Sequence, residues 1–455
     1  MEKTDVRANK EALKTETIVA LASASGRAGV AVIRVSGPLV PTIAVSMLGK
    51  LPLARRAFFC DFHDRDQAIL DQGLALYFAA PYSFTGEDVL ELQGHGGAIV
   101  IDNIISTVIA LGARMARPGE FSERAFLNNK IDLTQAEAIA DLIDASTQAA
   151  AHSALQSLQG AFKAVVDRIV ESVTKLRIYV EAALDFPEEE IDFISEGKVA
   201  SEIADIITAI EKLQAQTQQG QVLKEGVNVV LVGKPNVGKS SVLNLLLGCE
   251  RAIVTEIAGT TRDTLRETIQ LNAIPFHITD TAGIQETADA VEAIGIQRTF
   301  AALDTADVIL HIQDVTSPDP VSLDDKYAEQ TCVVYNKIDL LPVQHNTTQE
   351  ASRCKLLLSA KTGEGFDTLK QFLVEKSGVC LGSESIFLAR RRHLLAVEKA
   401  LACMWRAHEQ VSAQAFGELI AEELKCAQQH LGEITGTVTS DDLLGRIFSE
   451  FCIGK

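Results

Sequence analysis

The sequence predicts a multidomain α/β and α protein, with a small α+β domain in front, a discontinuous helical domain, and a parallel-sheet α/β module inserted into the helical part. Three observations carry this. The 455 residues, at roughly 150 residues per domain, make about three domains. The eleven prolines leave residues 119–186 and everything after 342 free of helix breakers, and both stretches repeat apolar residues at helical spacing. Between them, from about Gly226 to Ser377, short β-branched runs alternate with helical segments, as in a parallel sheet with helices on both faces.

In chain order, the first ten residues are of mixed charge without an apolar core, so no export signal is expected. Residues 17 to about 125 mix alternating strands (Val30–Arg34, Gly73–Phe78, Val89–Gln93) with a helix over Ala98–Leu111, hence α+β. His95, in the run Gly94-His-Gly-Gly97, reads as a turn residue. Helical periodicity then covers Leu133–Ile143 and Ala164–Ala183, and the acidic stretch Asp185–Asp192 reads as a solvated corner. Candidate strands of the α/β module are Val227–Val232, Phe276–Thr279, Val308–Ile312, Cys332–Tyr335 and Leu356–Leu358. A last helical stretch runs from His393 to Leu431.

Composition excludes several classes. With 47% hydrophobic and 23% charged residues the chain is neither wholly disordered nor fibrous. No apolar run approaches the roughly 18 residues that span a bilayer, so no stable membrane insertion is expected. The 42 Lys and Arg against 61 Asp and Glu give a net charge of −19, which disfavours non-specific coating of nucleic acid, since that binding needs excess cations. The eight cysteines stand singly, without zinc spacing, and read as small buried hydrophobes in a reducing cytoplasm.

One motif carries chemistry on its own. Gly233-Lys-Pro-Asn-Val-Gly-Lys-Ser240 fits GxxxxGK[ST] directly after a predicted strand and before a helix, where backbone N–H groups can curl around phosphates. Asn236, Val237, Gly238, Lys239, Ser240 and Ser241 are the expected phosphate contacts, with Lys239 on the β- and γ-phosphates and the Ser240 hydroxyl on Mg²⁺. Asp280, Thr281, Ala282 and Gly283 follow at a strand end; Asp280 can hold Mg²⁺ and the Gly283 N–H can sense a γ-phosphate. Asn336, Lys337, Ile338 and Asp339 end another strand. A carboxylate there accepts both guanine N1–H and N2–H, which adenine cannot match, so the nucleotide is GTP. Ser359, Ala360 and Lys361 close the base pocket. In Gly259-Thr-Thr-Arg-Asp263, Thr261 is the natural second Mg²⁺ ligand of a switch loop. The position after Asp280-Thr-Ala-Gly283 is Ile284, which cannot orient water, and spacing leaves Glu286, Asp289 and Glu292 as candidates.

Together with Phe84-Thr-Gly-Glu-Asp-Val-Leu-Glu-Leu-Gln-Gly-His-Gly-Gly97, Arg117-Pro-Gly-Glu-Phe-Ser-Glu-Arg-Ala-Phe-Leu127, Ser440-Asp-Asp-Leu-Leu-Gly-Arg-Ile-Phe448 and the terminal Cys452-Ile-Gly-Lys455, these motifs make the chain resemble the MnmE (TrmE) family of tRNA modification GTPases. The likeness covers nearly all of residues 17–455, and the terminal tetrapeptide discriminates best. It implies a folate-binding and dimerisation domain (17–127), a helical domain in two parts (128–222 and 379–455), and an inserted P-loop GTPase domain (223–378); residues 1–16 depart from the family as an N-terminal extension that its start at Thr17 does not need. It implies folate contacts at Arg34, Glu91, Lys130 and Lys455, and Glu292 as the water-orienting residue beside Lys239. K⁺ is implied at Asn236, Thr255, Ile257 and Thr260, with Glu256, Ala258 and Gly259 completing the GTP contacts of that segment.

The implied activity is K⁺-stimulated GTP hydrolysis in a homodimer working with an MnmG-type FAD-binding partner as a heterotetramer. The pair adds a (carboxymethyl)aminomethyl group to C5 of wobble uridine 34, the carbon coming from 5,10-methylenetetrahydrofolate or a formyl-tetrahydrofolate analogue. The alternative is a ribosome-assembly GTPase, which shares the Asn-bearing loop. Gln285 stands where relatives usually carry Arg. Cys452 has no neighbouring base in sequence and reads as a packing or tail-positioning residue. Arg390-Arg-Arg392 is the obvious basic run to meet tRNA.

Overall fold

The computed structural model describes residues 16–185, 197–248, 266–280, 301–317, 324–341, 354–379, 387–413, 417–437, 441–449, 451 and 454. In chain order the elements are β1 (Ile18–Leu21), β2 (Ala28–Ser36), α1 (Val40–Leu48), β3 (Phe58–His63), β4 (Ile69–Phe78), β5 (Val89–Gly96), α2 (Ala98–Ala110), β6 (Arg114–Met115), α3 (Glu120–Leu127) and α4 (Leu133–Asp144). Then come α5 (Gln148–Leu158), α6 (Ala161–Asp185), α7 (Lys198–Glu225), β7 (Val227–Val232), α8 (Lys239–Leu247), β8 (Arg266–Leu271), β9 (Ile274–Asp280) and β10 (Val308–Asp314). The chain closes with β11 (Thr331–Asn336), β12 (Cys354–Leu357), α9 (Phe366–Lys376), α10 (Arg391–Ser412), α11 (Gly417–Thr435) and α12 (Asp441–Ser449). They fall into two compact units, residues 1–140 with 428–455, and residues 141–427. No described helix is long and apolar enough to cross a membrane.

The first unit is built on a sheet of order β3-β4-β5-β2-β1-β6, antiparallel except for β1 beside β6. Strand alternation sorts its two faces. Ile33 and Val35 of β2 and Leu90 and Leu92 of β5 are buried against Ile43 and Met47 of α1 and Ile104 and Val108 of α2. The opposite face carries Val30, Val32, Arg34, Leu74, Leu76, Glu91, Gln93 and His95. His95 therefore belongs to a strand, not to a turn as its flanking glycines imply. Pro41 does not break α1 because it sits in the first turn, where its missing N–H has no intrahelical partner to lose. The C-terminal segment joins this unit: Leu444, Ile447, Phe448 and Phe451 bury against Leu133, Ala136 and Phe126. Gly119 (φ 67°) and Gly436 (φ 85°) allow that approach, since a Cβ on them would meet the Phe448 carbonyl oxygen and the Phe126 ring.

The second unit holds a sheet of order β12-β11-β10-β7-β9-β8. Its first five strands pair in parallel, but β8 runs antiparallel to β9. Sequence reading expects no such strand. The reason is the two-residue turn Asn272-Ala273, which takes positive φ (48° and 63°) at both positions. That is the primed-turn geometry normally marked by Asn-Gly or Asp-Gly, and alanine hides it. Val229, Leu231, Ile278, Leu310, Ile312 and Val334 form the sheet's core.

Long helices accompany the sheet in this unit. Gly220 lets α7 lie directly on the Phe387 backbone, whose carbonyl oxygen occupies the space of a Cβ. Phe162 of α6 stacks on Phe387 at 5.4 Å and meets His393 edge-on at 5.2 Å. The Asp141 carboxylate, 6% exposed, takes Lys224 at 2.8 Å and Arg390 at 3.0 Å. Arg390 is thus engaged inside the unit and is not a free member of a basic run, whereas Arg391 is exposed. The stretch expected as one helix from His393 to Leu431 is two, α10 and α11. The acidic corner from residue 186 onward lies outside the described residues.

Candidate functional site

The nucleotide motif sits where parallel-sheet topology places ligands, at the carboxyl ends of strands. From the end of β7 the chain enters the loop 233–238, which takes positive φ at Asn236 (66°) and Gly238 (97°). The two glycines are sterically required: a Cβ on Gly233 would run into the Ile312 carbonyl oxygen and one on Gly238 into the Asn336 side-chain amide. α8 starts at Lys239 with no side-chain cap, so its first N–H groups and the positive end of its dipole face the loop, which suits a phosphate. Lys239 is 6% exposed, and its Nζ donates to the carbonyls of Gly233 (2.7 Å) and Lys234 (2.9 Å). Burial pushes its ammonium below the ordinary value, partly offset by the charge of Asp280. Asp280 ends β9 opposite Leu231 of β7.

Three separate segments converge on that loop. Asn336, 2% exposed at the end of β11, donates from Nδ2 to the Val237 carbonyl (3.0 Å), while its Oδ1 accepts from the N–H groups of Lys337 (2.8 Å) and Ala360 (3.0 Å). One side chain thereby ties the phosphate loop to Ile338-Asp339 and to Ser359-Ala360-Lys361. Lys337, held at φ 69°, donates to the Asn236 carbonyl (2.9 Å) and the Asp314 carboxylate (2.7 Å). The Lys337 ammonium and the Thr316 hydroxyl and N–H hold the Asp314 carboxyl down to about 2. Fully buried Ser359 donates to Asp339 Oδ1 at 2.8 Å, which fixes the exposed Asp339 carboxylate in one orientation. An acceptor pair so fixed can read two adjacent N–H groups of a base. Thr255, Glu256, Ile257, Ala258, Gly259, Thr260, Thr261, Thr281, Ala282, Gly283 and Glu292 lie outside the described residues.

A second polar constellation stands on the first unit. Arg34 of β2 and Glu91 of β5 are direct cross-strand neighbours, and Arg34 donates from Nε (2.9 Å) and Nη2 (2.8 Å) to Glu91 Oε1. Its guanidinium lies 6.0 and 5.8 Å from the ring centroids of Phe84 and Phe121, and its Nη1 donates to the Gly454 carbonyl at 3.4 Å. Gly454 (φ 98°) presses on the Leu21 carbonyl oxygen where a Cβ would have to be. The end of the chain thus arrives beside a pair 420 residues away in sequence. Lys130 donates to the Pro81 carbonyl at 2.9 Å. Lys455 and Cys452 lie outside the described residues.

Sequence reasoning missed the groups that support this pair. Arg124, 1% exposed, donates to the Glu16 carbonyl (2.8 Å) and to Glu87 (3.0 Å), and Glu87 accepts from Ser36 (2.7 Å), two residues along β2 from Arg34. Glu120, fully buried, is gripped by Arg114 at 2.6 and 2.8 Å, Arg124 at 3.1 Å and the Arg117 N–H at 2.8 Å. Burial alone would raise the Glu120 carboxyl, but these donors outweigh it and hold it at about 2. Only the glutamate and arginine spacing of Arg117–Leu127 hinted at such a network.

Residues 133–452 match the model of the MnmE helical domain and residues 17–130 that of the GTP-binding protein TrmE N-terminus. The tRNA modification GTPase MnmE of Shewanella loihica is 53% identical over 453 residues, covering 97% of this chain and 100% of its own length. That of Yersinia pseudotuberculosis is 52% identical over 451 residues, covering 97% and 99%. Among solved structures, the G domain of the T. maritima FeoB iron transporter is 22% identical and covers 33% of this chain and 98% of its own, with a TM-score of 0.25.

Proposed function

The chain belongs to the MnmE family of tRNA modification GTPases, and from that premise we propose how it works. GTP lies on the loop from Gly233 to Ser240, its guanine read by Asp339 and its phosphates by Lys239 and the start of α8. Ser240 and Thr261 would hold Mg²⁺, and Asn236, Thr255, Ile257 and Thr260 would hold K⁺. Cations there offset the negative charge that develops on the transferring phosphoryl group. The uncapped start of α8 and the left-handed turn at Asn236 fit that ligand set. Glu292 orients the attacking water. The water oxygen bonds to the γ-phosphorus, the bond to the β–γ bridging oxygen breaks, and the products are GDP, phosphate and a proton.

In the first unit Arg34, Glu91, Lys130 and Lys455 hold a folate, 5,10-methylenetetrahydrofolate or a formyl analogue, which supplies the one-carbon unit. The observation that supports this is the meeting of Arg34 with Glu91 and the Gly454 carbonyl, with the rings of Phe84 and Phe121 beside the guanidinium. A carboxylate beside a guanidinium and a free carbonyl lone pair suit the adjacent donors and acceptors of a 2-amino-4-oxo ring. The chain acts as a homodimer in the cytoplasm, with an FAD-bearing MnmG-type partner. Together they install a (carboxymethyl)aminomethyl group on C5 of uridine 34. With Arg390 engaged by Asp141 and the chain at −19, tRNA is held by a local patch or by the partner.

Nucleoside mass analysis of tRNA tests the reading. A deletion strain should lose the C5 modification of wobble uridine, the wild-type chain should restore it, and Arg34→Ala should not. Unchanged wobble uridines in the deletion strain would sink the modification chemistry and leave the ribosome-assembly alternative.

A further inference from the structure

On the open face of the first unit's sheet, one imidazole is held more firmly than the fold requires. The β4–β5 ladder runs from Phe78↔Val89 to Leu74↔Gln93. Beyond it the Asp71 carboxylate takes over: Oδ2 accepts the His95 backbone N–H at 2.7 Å, and Oδ1 meets His95 Nδ1 at 2.7 Å. Gly94 makes room, since a Cβ there would overlap Asp71 Oδ2. Capping the strand needs the first contact only. The second fixes an imidazole that is 71% exposed, while the side chain of Asp71 is 9% exposed. Ordering an exposed side chain costs rotamer entropy and adds nothing to the core.

The pairing also fixes the ring's chemistry. Burial pushes the Asp71 carboxyl up, but the His95 and Gln72 donors outweigh it and keep it below the usual range. An ionised carboxylate only accepts, so Nδ1 carries the proton, and in the neutral ring it is Nε2 that offers its lone pair outward. A carboxylate that sets a histidine's tautomer recurs where an imidazole ligates a metal or works in a catalytic triad.

Period-2 alternation puts His95 on the same face as Gln93 and Glu91. Four residues of strand, at about 3.3 Å each, set His95 about 13 Å from Glu91. Gln93, between them, pairs across the sheet with Val32 and Leu74, and Glu91 pairs with Arg34 and Leu76, so aliphatic side chains line the stretch from the Arg34–Glu91 pair towards His95.

We propose that His95, oriented by Asp71, is a second anchor for the ligand held at Arg34 and Glu91, its Nε2 accepting an N–H from the far end of an extended folate. The ring system then sits at Glu91, the benzoyl group lies over Val32, Leu74 and Leu76, and the amide that joins the glutamate tail donates to His95. This rests on the folate reading given above.

The test is isothermal titration of the full chain with two probes, 5-formyltetrahydrofolate and a 5-formyltetrahydropterin lacking the benzoylglutamate tail. His95→Ala should weaken the folate about fivefold, the size of one neutral hydrogen bond, and leave the truncated probe unchanged. His95→Gln, which keeps an acceptor, should recover part of the loss. Equal weakening of both probes would mean that His95 only shapes the strand, and no change with either would remove it from the site; each result overturns the proposal. If the wild-type chain binds neither probe, the folate reading itself fails and takes this proposal with it.

Discussion

Glu120→Gln replaces a fully buried carboxylate with a neutral group of the same shape, while Arg114, Arg117 and Arg124 stay in place. The wild-type carboxyl is held at about 2 instead of 4.5, and at about 1.4 kcal/mol per pH unit this contributes about 3 kcal/mol to the first unit. Removing one partner from a buried ion network gives about 3–5 kcal/mol, so the two routes agree. Because the folded value is the depressed one, the contribution is complete above about pH 4.5 and is lost as pH falls towards 2. Urea titrations followed by circular dichroism at several pH values measure the difference between wild type and variant. Peptide-resolved hydrogen exchange over β1, β2 and β5 assigns it to this unit. The gap should be constant from pH 8 to 5 and close below 4. A variant as stable as the wild type at pH 7, or a gap that ignores acid, would refute the assignment of the stability to the ionised Glu120.

Asp339→Asn should weaken GTP by about 10²-fold or more, the loss of two charge-assisted hydrogen bonds, and admit xanthosine triphosphate. Retained GTP preference in a competition assay would contradict the guanine pairing. Glu292→Ala should leave GTP affinity nearly intact while lowering kcat by about 10²-fold, and unaltered turnover would remove Glu292 from the mechanism. Asp141→Ala should lower the stability of the second unit by about 3–5 kcal/mol, since Lys224 and Arg390 would then face each other without their shared carboxylate. Thermal unfolding read from Trp405, the one tryptophan, measures it; an unchanged midpoint would make the triad ornamental.

The sequence by itself determined what local chemistry can write. Five strands of the α/β sheet, the loop Gly233–Ser240 and the strand end at Asn336–Asp339 were legible because each needs particular residue types at fixed short spacing. Helix α1 tolerated Pro41 and strand β8 turned back through Asn272-Ala273, cases where position within an element outranks residue type. Tertiary structure alone decided which groups meet across long separations. Asn336 tying the phosphate loop to Ala360, Gly454 reaching Arg34 and Asp71 fixing His95 all join residues that no spacing rule connects. Each contact also depends on a side chain being turned to one face by strand or helix geometry and then shielded from water by the core behind it. Burial sets the strength of those contacts, and burial belongs to the packed chain as a whole.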